Sequence, residues 1–569
     1  MNRTKRRMRL HPLALSALPV ALLMGCGGGS SDAGLPQLSA ATPGTLATCS
    51  DLASKFTHPN TQISLAEPVA AGALTRGDAP MPAHCLVRGE MFPRISPQDG
   101  QRYAIAFEMR MPLAWNGRFF YQANGGSDGV LWPAIGSQTG PQPTVALQQG
   151  FAVISSDAGH AGQGNMTFGI DAQARLDYGY QAVAKLTPMA KDLIASAYGK
   201  KPDRSYIGGC SNAGRHTFVA MTRMPGEYDG YLAGAPGYRL PLAAIANQFG
   251  AKQYATIATD PADLSTAFTS TERAMVSAKV LEKCDALDGA KDGIVQDTAA
   301  CQASFDFQRD IPSCSGARDG SCLTPAQKTA IAPIFSGAVD SKGNKFYASF
   351  PFDTGHNAAD SSFWEFFVST NIDPAMTAMT WGSPPVSPTG FSAPAFALNT
   401  PIDTMLTSVA ATSGVYTESG LAFMQPVNPT NLATLKQRGA KVMVYHGVSD
   451  PIFSANDTAN WYEGLRTNNS GDASNFARYY PVPGMSHCGM GPATDQFDML
   501  TSLVNWVEKG QAPDSVVAGV RAAGNVAGAN PDLPASWSAN RTRPLCAYPK
   551  VARYNGTGDI ESASSFSCK

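Results

Sequence analysis

Two blocks of alternating strand-like and helical segments, about residues 45–237 and 429–569, flank a stretch at about 238–428 where the alternation is lost. This predicts an α/β fold whose sheet is assembled from both ends of the chain, with a large domain inserted between two strands. At 569 residues the chain also exceeds the roughly 250–300 at which single cores stop growing, so an insertion or a further domain is required.

Taken in order, the chain opens on a targeting segment. Arg3, Lys5, Arg6, Arg7 and Arg9 form a basic region, and Leu13 to Met24 is an apolar run. The run is shorter than the about 20 residues that span a bilayer. Leu23-Met24-Gly25-Cys26 resembles a bacterial lipobox. A lipoprotein-type signal peptide is therefore expected over 1–25, with lipidation at Cys26 and a Gly/Ser-rich flexible tether over 26–44. Ordinary secretion is the plainer alternative. Both readings export the protein from a bacterial cell, to the periplasm, the outer membrane or the medium. A net charge of -1 excludes nucleic acid and a strongly basic membrane-binding face, leaving the lipid anchor as the only expected membrane contact. A monomer is expected.

In the first block, Tyr103, Ile105, Phe107 and Met109 alternate with Ala104, Ala106, Glu108 and Arg110, the period of a strand. Phe151 to Ile154 is a second apolar run. Ser205-Tyr206-Ile207 enters the turn Gly209-Cys210-Ser211-Asn212-Ala213-Gly214, and Arg215 to Met224 leaves it as a helix with Phe218, Val219 and Met221 inward. Strand, small-residue turn around serine, then helix resembles the nucleophile elbow of an α/β-hydrolase. In the second block Lys441 to His446 ends at Gly447-Val448-Ser449-Asp450, and Ala477 to Val482 shortly precedes His487. Thr494 to Lys509 then shows Phe497, Leu500, Leu503, Val504 and Val507 at helical spacing, stopped by Gly510.

A serine hydroxyl needs a base, and the base needs a group that orients it. Ser211, Asp450 and His487 follow the order nucleophile, acid, base of the α/β-hydrolase fold. The plainer reading is a turn aspartate and a surface histidine. His446 competes as base, but it precedes Asp450 and is expected to support the site by packing. His160 and His216 are expected to be structural. Oxyanion donors are expected at the backbone N–H of Asn212 and of Gly126, in the glycine-rich stretch Phe119 to Gly129.

Eleven cysteines are an odd number, and setting Cys26 aside leaves ten. Nearest-neighbour pairing suggests Cys49 with Cys85, Cys284 with Cys301, Cys314 with Cys322 and Cys546 with Cys568, which leaves Cys210 for Cys488. Spacing alone leaves other connectivities open. A Cys210–Cys488 bond would bring the two Cα atoms within roughly 4.4–6.8 Å and clamp Ser211 beside His487. No Cys-x-x-Cys occurs, which argues against zinc. Asp285, Asp288 and Asp292 put three carboxylates within eight residues on a glycine-bearing loop, hard oxygen donors that suit calcium although the spacing is not that of an EF-hand. A solvated acidic turn is the alternative.

These residues resemble the tannase and feruloyl esterase family, secreted α/β-hydrolases with a large lid. The resemblance runs over nearly the whole mature chain. It is carried by Asn116-Gly117-Arg118-Phe119-Phe120, Asp171 to Asp177, the Ser211 elbow, Gly234-Ala235-Pro236-Gly237-Tyr238, the Asp285 loop, Pro483 to Cys488, and Arg543-Pro544-Leu545-Cys546. The resemblance implies Ser211, Asp450 and His487 as triad, Asn212 and Gly126 as oxyanion donors, and a Cys210–Cys488 bond. It implies a structural calcium held by the side chains of Asp285, Asp288 and Asp292 and the carbonyls of Ala290 and Ile294. Phe453 matches a substrate-contacting position in a branch of the family that cleaves a terephthalate monoester.

Two departures stand out. Ala213 replaces a glycine that family elbows usually carry. That branch also grips its substrate carboxylate with a lid arginine, whereas no arginine occurs here between Arg318 and Arg438. Without a bidentate cation a carboxylate-bearing ring loses its best anchor. Trp364, Phe366, Phe367 and Trp381 offer an aromatic wall, with Trp364 and Phe367 the chosen substrate contacts. The expected function is a serine carboxylic ester hydrolase that cleaves small aromatic esters of feruloyl, hydroxycinnamoyl or galloyl type. One alternative is the terephthalate monoester, with Lys342 or Lys345 in place of the arginine. Another is a non-catalytic binding lipoprotein on a hydrolase fold.

Overall fold

The computed structural model describes residues 34–137 and 140–569. The expected signal peptide over 1–25 and the expected lipidation site Cys26 lie outside the described residues. At the start of the described chain, the expected tether is already bonded to the body: Gln37 Nε2 donates to Val507 O at 2.7 Å, and the Ala41 N–H donates to Glu508 Oε2 at 2.9 Å. Gly44–Thr45 then pairs with Ala114–Trp115. Folded chain therefore begins before residue 44.

The central sheet has nine strands. In chain order they are β1 Thr61–Val69, β2 His84–Ile95, β3 Arg102–Pro112, β4 Arg118–Gln122, β5 Ala152–Ser156, β6 Arg204–Cys210, β7 Gly230–Gly234, β8 Lys441–Gly447 and β9 Ala477–Val482. Their spatial order is β9-β8-β7-β6-β4-β5-β3-β2-β1. The run from β5 to β9 is parallel, and β1, β2 and β3 extend it antiparallel. The strands β6, β7, β8 and β9 are buried almost throughout, as expected for a parallel sheet covered on both faces. Helices α1 Ala182–Tyr198, α2 Asn212–Arg223, α3 Leu240–Ala255, α4 Ala455–Thr467 and α5 Met499–Lys509 supply much of that cover. Phe218, Val219 and Met221 on α2 face inward, as do Leu500, Leu503, Val504 and Val507 on α5.

Strand β3 departs from simple alternation. Glu108 and Arg110, read as its outward face, are buried as well. Glu108 Oε1 accepts from Arg110 Nε at 2.7 Å and from the Ala134 N–H at 3.0 Å, so both charges are paired out of water.

Residues 235–440 connect β7 to β8 and are mainly helical, a wider span than the expected 238–428. They carry a core of their own, with Tyr254, Phe268, Val276, Phe305, Phe307 and Leu323 in one buried cluster. Cys284–Cys301 and Cys314–Cys322 close loops within it. Arg175 ties the insert to the body, donating to Met379 O at 3.0 Å and Ser383 Oγ at 3.2 Å. That buried bond network accounts for the Asp171–Asp177 motif, whose first residue also pairs with Arg94.

Candidate active site

The turn after β6 places Ser211 where a strand becomes a helix. Its φ of 70° and ψ of -130° are strained for a residue with a side chain, as a nucleophile elbow demands. The turn closes only because its neighbours are small. A Cβ on Gly209 would lie 2.2 Å from Ala213 Cβ, and one on Gly214 would lie 2.5 Å from Gly234 O. Ala213 itself is fully buried and keeps the turn.

Two further loops, after β8 and β9, converge on the same edge of the sheet. His487 Nε2 lies 2.8 Å from Ser211 Oγ, and His487 Nδ1 lies 2.7 Å from Asp450 Oδ2. Asp450 Oδ1 accepts from the N–H groups of Ile452 and Phe453 at 2.9 and 3.0 Å. Burial alone would raise the Asp450 carboxyl, but the charge of His487 and the hydrogen bonds of both His446 and His487 outweigh it and hold the group far below the carboxylate range. It is an anion at neutral pH. Such a set can move a proton from the serine hydroxyl to the imidazole and stabilise the imidazolium that results.

His446 does not reach the serine. Its Nε2 lies 3.3 Å from Asp450 Oδ2 and 3.0 Å from Phe453 O, and its Nδ1 bonds Thr458. His216 bonds Asp128 at 2.8 Å, and His160 contacts Ser127 O and stacks on Phe168.

The disulfide Cys210–Cys488 joins the residues next to Ser211 and His487, with Cα atoms 6.0 Å apart. The other four suggested pairs form as well. Five disulfides mark an exported chain. Among the described residues, no helix is long and apolar enough to cross a membrane.

The N–H of Asn212 opens α2, so no intrahelical carbonyl can take it. Asn212 is fixed from the side: its Nδ2 donates to Asp128 Oδ2 at 2.8 Å, and its Oδ1 accepts from Arg215 Nε at 2.6 Å. Gly126 has a φ of 64° and lines the same cavity as Ser211 and Asn212.

That cavity has a volume of about 470 Å³, within the size range of small-molecule sites. Trp364 and Phe453 line it and meet His487 edge-on, at ring-centroid distances of 4.5 and 5.2 Å. Trp381 lines it too. Phe367 does not: it is half exposed and stacks on Phe363, which takes the expected position on the wall. Phe363, Trp364, Val368 and Ile372 of the π-helix Phe363–Ile372 line the cavity. Phe366 packs inside the insert against Tyr254. Lys342 and Lys345 are exposed and do not line the cavity. Tyr178, Asp373 and Asp360 were not legible as site residues. Asp360 accepts from Trp364 Nε1 at 2.9 Å and Ser486 Oγ at 2.8 Å, which anchors the indole beside the His487 loop.

In the acidic loop, Asp285 Oδ1 accepts from the N–H groups of Asp292 and Gly293, Asp288 Oδ1 from Ala290, and Asp292 Oδ1 from Ile294. Asp292 Oδ2 also pairs with buried Arg543. Among the described residues, no three acidic, His or Cys side chains converge as a formed metal cluster. One oxygen nevertheless lacks a partner: Asp288 Oδ2 is buried without a hydrogen bond. Burial, with Asp292 and Asp285 nearby, pushes the Asp288 carboxyl up to about 7. An orphaned acid oxygen among carboxylates fits a hard cation.

Comparison with known proteins agrees with this geometry. The family model described as "Tannase and feruloyl esterase" matches residues 85–569. The chain is 38% identical over 546 residues to mono(2-hydroxyethyl) terephthalate hydrolase of Piscinibacter sakaiensis, covering 88% of this chain and 87% of that one. It is 27% identical over 489 residues to a probable feruloyl esterase B-1 of Neosartorya fischeri, covering 81% and 82%. In fold it is similar to the crystal structure of feruloyl esterase B from Aspergillus oryzae, with a TM-score of 0.72 at 24% identity, covering 92% of this chain and 99% of that one. A match over most of the chain, on a fold with a serine elbow at its strand ends, establishes that it belongs to the tannase and feruloyl esterase family and is a carboxylic ester hydrolase.

Proposed function

We propose that the protein cleaves small aromatic carboxylic esters, of feruloyl, hydroxycinnamoyl or galloyl type, through an acyl-enzyme on Ser211. The observation that carries this is the continuous hydrogen-bonded line Ser211 Oγ–His487–Asp450, opening into an aromatic-walled cavity. Ser211 Oγ attacks the ester carbonyl carbon and its proton passes to His487 Nε2. Asp450 holds Nδ1–H and balances the imidazolium. The carbonyl oxygen becomes an oxyanion facing the N–H groups of Asn212 and Gly126. Collapse expels the alcohol, which takes the proton from Nε2. Water then attacks the acyl carbon with His487 as base, and the acid leaves.

The insert over residues 235–440 acts as a lid: its Trp364 and Trp381 form cavity wall over the serine. Calcium is proposed as a structural ion on the side chains of Asp285, Asp288 and Asp292 and the carbonyls of Ala290 and Ile294, supported by the unpartnered Asp288 oxygen. The ion would neutralise that acid cluster and brace the insert, away from the reacting atoms. A lipid on Cys26 would tether a monomeric enzyme to a bacterial membrane.

The terephthalate monoester is a second reading, favoured by the 38% identical relative. Against it, among the described residues no Arg or Lys lines the cavity. Hydrolysis of methyl ferulate, methyl gallate and the terephthalate monoester by the disulfide-bonded protein, beside Ser211→Ala, ranks the substrates. Lack of Ser211-dependent turnover of any of them would sink the proposal.

A further inference from the structure

Strands β8 and β9 pair as far as Gly447 and Val482, and Asp450 and His487 both lie beyond that point, on loops. The ladder therefore leaves the separation of acid and base to contacts made by the loops themselves. One contact is direct, from the Ser449 N–H to Met485 O at 3.0 Å. Another comes from the insert. Asp353 is fully buried, and its Oδ2 accepts from Ser449 Oγ at 2.8 Å and from the Gly484 N–H at 2.7 Å. Ser449 directly precedes Asp450, and Gly484 lies three residues before His487. Ser449 Oγ in turn accepts from the Gly355 N–H at 2.8 Å. The turn after Asp353 is pressed onto both loops: a Cβ on Gly355 would lie 2.3 Å from Gly484 O and 2.7 Å from Ser449 Oγ. Bonds to a carboxylate shielded from water are strong and directional, and donors left bare in the same place are costly.

We infer that Asp353 is a positioning residue for ester hydrolysis: its carboxylate, supplied by the insert, ties the loop that carries Asp450 to the loop that carries His487. It thereby holds the acid and the base in register with Ser211, and it touches neither the substrate nor the reacting atoms. Asp360 fastens the same stretch of the insert to Ser486, next to His487. The insert is thus part of the proton-transfer geometry as well as of the cavity wall. This rests on the reading of Ser211, His487 and Asp450 as the reacting set.

The test measures kcat and KM for p-nitrophenyl butyrate, whose cleavage does not depend on an aromatic acyl preference. It uses the full disulfide-bonded protein and counts active serines by titration with diethyl p-nitrophenyl phosphate, so that unfolded protein is not read as slow enzyme. Asp353→Ala leaves Ser449 Oγ–H and the Gly484 N–H without their acceptor, and kcat per active serine is expected to fall about 10- to 100-fold with KM nearly unchanged. Asp353→Asn should recover most of that loss. Its amide oxygen can take both bonds, with the NH2 group in place of Oδ1, which has no hydrogen-bond partner among the described residues. Glu272→Gln is the control, because that acid is equally buried but bonds Thr269, Arg318 and Gln327 within the insert. It should lower Tm and leave kcat per active serine near the wild-type value. If Asp353→Ala does not fold, Ser449→Ala removes one of the two bonds from the other side and should lower kcat about 3- to 10-fold. A kcat within about 2-fold of wild type in Asp353→Ala, or in Ser449→Ala where that variant decides, overturns the inference. So does an asparagine variant as slow as the alanine one, or an equal loss in Glu272→Gln. If Ser211→Ala cleaves the ester as fast as the wild-type protein, the serine-esterase reading itself fails, and the inference with it.

Discussion

The Trp364 indole stands edge-on against the His487 imidazole, with ring centroids 4.5 Å apart and planes at 74°. One residue belongs to the insert and the other to a loop after the last strand of the sheet, so the insert and the His487 imidazole are in direct contact. The indole is held by its own hydrogen bond to Asp360, which in turn accepts from Ser486 beside His487. Trp364→Ala should lower kcat/KM for aromatic acyl groups by about 3- to 10-fold through lost ring contact. Steady-state kinetics on methyl ferulate check this, and an unchanged value would remove Trp364 from the acyl site.

Asp450 is shared by two histidines, but only His487 reaches Ser211. His446 positions the acid. His446→Gln should lower kcat by about 10-fold while KM stays near its wild-type value. A fall in KM-dependent terms alone would show that His446 acts through the pocket instead.

The Cys210–Cys488 bond joins residues 278 apart in sequence. A Cys210→Ala/Cys488→Ala double variant should lose about 2–5 kcal/mol of stability, read as a lower midpoint in urea. The loss in kcat should exceed what the other disulfides cause when removed, because this bond alone abuts Ser211 and His487.

That Ser211, Asp450 and His487 come together was legible in the sequence because each sits in a short local context. A small-residue turn exposes Ser211, and strand-like runs precede Asp450 and His487. The fold class followed from the same runs. The cavity wall was harder to read. Phe363 lines the cavity and Phe367 does not, and a run of aromatic residues such as Phe363 to Phe367 does not by itself show which of them face inward. Asp373 and Tyr178 come together only in three dimensions, one from the insert and one from the body. Buried Glu108 and Arg110 mimic an outward strand face because a charge pair satisfies burial as well as apolar residues do.

If calcium binds at Asp288 as proposed, its removal should give a pH-dependent signature. The folded carboxyl of Asp288 is raised to about 7, above its ordinary value of 3.8. Folding of the metal-free chain therefore favours the protonated acid. Stability from this group is fully present below pH 3.8 and is lost as pH rises through about 7. In EGTA the Tm should fall between pH 5 and 8, and calcium should restore it most at the alkaline end by replacing the proton. Asp288→Asn should flatten the pH dependence. A Tm indifferent to EGTA at pH 8 would contradict the calcium assignment.

The most direct test is hydrolysis of methyl ferulate by the disulfide-bonded protein beside Ser211→Ala, with a burst experiment to trap the acyl-enzyme. Turnover that falls roughly ten-thousand-fold or more in the variant, with ferulate found covalently on Ser211 in the wild-type protein, is the predicted result. Equal turnover by both proteins would contradict the account.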